Sequence, residues 1–153
     1  MTDRPYPDGI DCVWLASDRD GYLGAFITAG VGPIPSEALE CDYVPVSEIE
    51  SQICAMPKVS KCRLLVSVKR PDDFIDLAER GFFVYDWTDI NRTRREETRM
   101  YEPVATPTTP IKADSLFGEL AFVANALKLK QEAFADQLGI DVCSYMMCRE
   151  GLR

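Results

Sequence analysis

The chain has 153 residues, 46% of them hydrophobic and 27% charged, which is the composition of a globular protein with a core of its own. Its 25 acidic residues against 17 basic ones leave a net charge of −8, and this disfavours non-specific nucleic-acid binding, because phosphate neutralisation needs a positive surface. Histidine is absent, which removes Ser-His and Cys-His nucleophilic dyads, a histidine general base and mixed Cys/His zinc sites.

The opening residues, MTDRPYPDGID, carry acids and prolines where an export signal would carry a basic start and an apolar run. No segment is apolar for long enough to span a membrane, so a cytoplasmic protein is expected. In that setting the six cysteines read as reduced thiols. The nearest pairs, Cys143 with Cys148 and Cys54 with Cys62, lack the CxxC spacing of a zinc ribbon, and neither a metal nor a cofactor is expected.

Along the chain, residues 12–16 and 22–28 are apolar runs joined by Ser17-Asp18-Arg19-Asp20-Gly21, the chemistry of a β-hairpin with an exposed turn. Gly24, inside the second run, marks a bulge or a neighbour packed close. The glycines of Ala29-Gly30-Val31-Gly32-Pro33-Ile34-Pro35 do not make a phosphate loop, since the prolines lack the N–H donors of such a cradle. A short helical turn follows at 36–40 with Ser36 as cap. Ser47-Glu48-Ile49-Glu50 reads as a capping box for a helix that buries Ile49, Ile53 and Met56 and stops before Pro57.

Residues 62–68 form an apolar strand expected inside the sheet. The acids at 72–76 open a short helix ending near Gly81, and 82–87 is a strand again. Residues 98–105 read as a strand near an edge, because Pro103 cannot donate to a ladder. Thr106-Pro107-Thr108-Thr109-Pro110 is an extended connector and the candidate subdomain boundary. Asp114 or Ser115 is placed to cap a helix with Leu116, Leu120, Val123, Ala124 and Leu127 on one face. These elements predict one α+β domain over 1–153, with a mixed or mainly antiparallel sheet and helices packed on it. Trp14, Phe26, Leu65, Val66, Phe83 and Leu120 are the expected core.

Near the C-terminus, Gln131, Ala135, Leu138, Gly139 and Ile140 stand at the spacing of the Cro/phage-repressor helix-turn-helix family, which this stretch resembles. The resemblance implies a DNA-binding regulator built on residues 115–151. It departs from the family where DNA is read, because 141–149 holds one basic residue, Arg149. Alternation of Leu127 and Leu129 with Lys128 and Lys130 fits a strand equally well.

As a whole, WLASDRDGYLGAFITAGVGPIP and GFFVYDWTDINR in a small acidic chain resemble bacterial immunity-type proteins, which neutralise polymorphic toxins. The resemblance spans roughly residues 11 to 105 and implies a non-catalytic inhibitor of one cognate toxin. The charge distribution suggests the surface involved. No Lys or Arg occurs between Asp20 and Pro57, while Glu37, Glu40, Asp42, Glu48 and Glu50 are acidic. Those five, with Tyr43 as an apolar contact, are the candidate site for a basic protein partner, and a solvated face that aids solubility is the plain alternative. An enzyme would have to rely on carboxylates. Asp18 with Asp20 serves the turn, whereas Asp86 with Asp89 and Arg92 stands at a strand end, where chemistry is better placed. Arg92, Arg94, Arg95 and Arg99 form the opposing basic cluster.

Overall fold

The apolar runs on either side of the Asp-rich turn form the first two strands, β1 (Val13–Asp18) and β2 (Leu23–Ile27), paired antiparallel with Trp14 opposite Phe26. They belong to a computed structural model that describes residues 11–29, 32–39, 44–67, 71–87, 101–116 and 118–140. The remaining elements are α1 (Ser36–Leu39), α2 (Val46–Cys54), β3 (Cys62–Leu64), α3 (Asp72–Ala78), β4 (Phe83–Asp86), β5 (Glu102–Pro107), α4 (Glu119–Ala126) and β6 (Lys128–Leu129), with 3-10 turns at Ala113–Ser115 and Phe134–Asp136. The strands form one sheet in the order β3-β5-β4-β2-β1-β6. Pairing is parallel for β1 with β6 and for β2 with β4, and antiparallel elsewhere, so the fold is α+β with a mixed sheet.

Strand alternation divides the core into two clusters, one on each face. Val13, Leu15, Leu23, Ala25, Ile27 and Val84 face helices α2, α3 and α4, which contribute Ile49, Ile53, Leu77, Ala78, Leu120 and Val123. Trp14, Phe26, Phe83 and Tyr85 face the other way, where Ile34, Ala38, Leu129, Phe134 and Ile140 cover them. This second cluster is aromatic. Trp14 stacks on Phe26 at 4.2 Å between ring centroids and Phe26 on Tyr85 at 5.0 Å, while Phe134 meets Phe26 edge-on at 5.9 Å. Such pairs add about 0.5–1.5 kcal/mol each beyond their area burial. Gly24 is the close approach that the sequence suggests: a Cβ there would lie 2.7 Å from the Phe134 ring. Burial pushes the Tyr85 hydroxyl well above its ordinary value, with the charges of Glu132, Asp18 and Asp136 acting in the same direction.

Several elements differ from the sequence expectation. β3 is three residues long and sits at the sheet edge, not inside it, so Leu64 is exposed and Leu65 and Val66 are only half-buried. β5 is interior, flanked by β3 and β4. Its Pro103 is accommodated because the β3 pairing covers only Ala105 to Pro107, and because the β4 register shifts opposite it. Thr106 and Pro107 continue β5, and Thr108 and Thr109 accept and donate hydrogen bonds to Lys61 and Ser60. Neither Asp114 nor Ser115 caps a helix. They close a 3-10 turn in which the Ser115 hydroxyl donates to the Lys112 carbonyl at 2.7 Å, and α4 starts only after Gly118, whose φ is +68°. Gly81 takes the left-handed φ of +95° expected after α3.

Candidate functional site

The helix α2 forms because Ile49 and Ile53, one turn apart, bury against the sheet, leaving Glu48 exposed and Glu50 half-buried. It starts at Val46 behind Pro45, with no side-chain cap bond, so Ser47 lies inside the first turn and the expected capping box does not form. At the other end Arg80 binds the carbonyls that the helix leaves open: Nη2 donates to Cys54 O at 2.8 Å and Nε to Met56 O at 3.1 Å. Its Nη1 donates to Asp76 O at 3.0 Å and stands 3.8 Å from the Asp76 carboxylate, tying α2 to α3.

This junction gathers acids from three separate parts of the sequence. Asp73 and Asp76 of α3, and Asp11, which precedes β1, are near enough for their charges to act on Glu50 of α2. Burial first, then the charges of Asp73, Asp11 and Asp76, raise the Glu50 carboxyl above its ordinary value of 4.5. Asp11 is likewise raised by burial and by Asp73, against a lowering hydrogen bond from the Ala29 N–H at 2.9 Å. Among the described residues, the charges that raise Glu50 and Asp11 are acidic ones. Among the described residues, Arg80 is the cation that ties α2 to α3, and it is committed to Asp76 and to backbone carbonyls.

Of the six residues expected to bind a partner, Glu50 lies in this cluster and Glu48 on the same helix. Glu37 is exposed on α1, which is anchored through Ala38 in the opposite core cluster. Glu40, Asp42 and Tyr43 lie outside the described residues. Asp11, Asp73 and Asp76 are the members that the sequence reading misses. The spacing of Asp73 and Asp76 does put them on one helix face, but nothing local says that this face meets α2.

The other candidates take different roles. Asp18 is fully buried and not at an exposed tip: Oδ1 accepts from the Asp20 and Tyr22 N–H groups and Oδ2 from the Phe134 N–H, each at 2.9 Å. A carboxylate so engaged is structural. Asp86 ends β4 opposite Glu102 and is half-buried, while Asp89 and the arginines 92, 94, 95 and 99 lie outside the described residues. The helix that the helix-turn-helix resemblance implies over 129–138 is not formed. Lys128–Leu129 pairs in parallel with β1, a turn follows, and Phe134–Asp136 is a 3-10 turn ended by Gln137 at φ +58°. The segment that would read DNA, 141–149, lies outside the described residues.

Among the described residues no three of His, Cys, Asp or Glu are close enough to hold a metal ion, and no helix is long and apolar enough to cross a membrane. Cys12, Cys54 and Cys62 are free thiols, and burial raises all three above their ordinary value. No family model matches the chain, and no curated protein or solved structure is significantly similar to it.

Proposed function

We propose that the chain is a non-catalytic protein-binding module of the immunity type, neutralising a cognate toxin through its acidic surface. The mutual repulsion among Glu50 of α2, Asp73 and Asp76 of α3, and Asp11 before β1 carries this reading, because such like charges cost the isolated fold free energy that an opposing cation would return. A basic surface supplies that cation. It would be steered to this face during approach and would lower the raised carboxyl pKa values on contact. Toxins that act on nucleic acid or nucleotides carry basic active sites, which gives the acidic face its target chemistry.

The test is growth protection. The chain is co-expressed with any toxin-like protein that a neighbouring reading frame encodes, alongside an E50K/D73K variant whose fold is verified by its amide NMR spectrum. The wild-type chain protects and the variant does not. Equal protection by the folded variant contradicts the acidic-surface reading, and no protection by the wild-type chain contradicts the inhibitor reading.

A further inference from the structure

Just beyond the end of α2 lies an apolar cleft of about 390 Å³, lined by Met56, Pro57, Val59, Ile111, Leu116 and Leu120 together with Arg80. Arg80 belongs to both the cleft and the acidic junction. It lines the cleft and, through Asp76 and the Cys54 carbonyl, forms the boundary with the acids. Glu50 stands one turn before Cys54 on α2 and Asp73 one turn before Asp76 on α3, on the two helices that Arg80 ties together. Val59, one of the lining residues, is an apolar side chain 48% exposed to solvent.

We infer that this cleft and the acidic junction form one docking surface for a basic protein segment, which inserts an aromatic or aliphatic side chain between Val59 and Leu116 while its neighbouring lysine or arginine side chains meet Glu50, Asp73 and Asp76. The inference rests on the acidic-surface reading and adds to it the anchor and its place. Charge complementarity chooses the occupant. A neutral apolar ligand would fill the cleft but leave the adjoining carboxylates repelling one another, and an acidic segment would be turned away. Arg80 does not invert this preference, because three of its N–H groups already bind carbonyl oxygens and its charge is opposed by Asp76 and by the C-terminal end of α2. The division of labour is the usual one at interfaces: a desolvated apolar anchor sets the lifetime, and charges around it set encounter and orientation.

The experiment titrates the full chain with a short synthetic peptide carrying one phenylalanine flanked by lysine and arginine, followed by amide chemical shifts. Two control peptides replace the phenylalanine with serine or the basic residues with glutamate. The basic phenylalanine peptide should shift amides of residues 54–59 and 111–120, and each control should bind about tenfold more weakly or not at all. V59S, at an exposed position that leaves the backbone bond from Val59 N–H to the Glu79 carbonyl in place, should weaken binding severalfold, and E50Q/D73N should do so most at low salt. Weakening by E50Q/D73N with no effect of V59S or of the serine peptide overturns the cleft while leaving the acidic-surface reading intact. Dependence on V59S alone overturns both, and so does the absence of any shift with the basic phenylalanine peptide.

Discussion

Glu50 is the residue at which the electrostatics of this fold can be read most directly. Its carboxyl is raised by partial burial and by three like charges, so the folded chain holds a proton there more readily than the unfolded chain does. The sign of the linkage follows: the folded state binds more protons, and stability therefore rises as pH falls from neutrality through the raised value of Glu50 towards its ordinary 4.5. Asp11 contributes in the same direction. E50Q removes the repulsion at all pH values. It should raise stability at pH 7 by about 0.5 kcal/mol, as expected for relieving like charges near a surface, and flatten the pH profile. Urea unfolding of both proteins at pH 7 and pH 5 measures this. A wild-type chain more stable at pH 7 than at pH 5, with E50Q unchanged, would mean that a cation already neutralises the junction.

The elements are joined at one buried carboxylate. Asp18 closes the β1–β2 turn with one oxygen and holds the Phe134 N–H with the other, while Ser17 N–H donates to Leu127 O and Arg19 N–H to Glu132 O. D18A leaves three donors without that acceptor, one of them buried, and should cost about 3 kcal/mol, seen as a lower urea midpoint at an unchanged slope. A loss below about 1 kcal/mol would show that the segment around Phe134 holds its place without this bond. The sequence makes the turn legible from Asp18, Asp20 and Gly21, but not the reach of Asp18 to a residue far along the chain. The same limit appears elsewhere. Strand character is visible in β1, β2 and β4, whose apolar runs are buried on both faces, whereas the run at 62–68 looks like an interior strand and lies at the edge, because neighbour order in a sheet is set by tertiary packing. Leu116 fits a helical period but precedes α4, since Gly118 in a left-handed conformation resets the chain. Of the acidic cluster, Glu50 is legible in the sequence, whereas Asp11, Asp73 and Asp76 are hidden, because their effect on Glu50 depends on tertiary packing around α2.

For the molecule as a whole, the sheet separates two kinds of surface support. One face carries α2, α3 and α4 and, at the α2–α3 junction, the acids and the adjoining cleft; the other is closed by an aromatic cluster and the segment from Leu127 to Ile140. On the proposed reading, the net charge of −8 would attract a basic partner at long range, and the junction would give that attraction a place to land. Attraction of this origin is screened over a Debye length of about 8 Å at physiological salt, so it shows itself in association rates at low ionic strength. The decisive measurement is the association rate constant of the chain with the proposed basic partner, taken against ionic strength for the wild type and E50K/D73K. The acidic-surface reading predicts association about tenfold slower for the variant at low salt, a gap that closes as salt rises, and little change in the fold. Equal rates and equal salt dependence for the two proteins would contradict it.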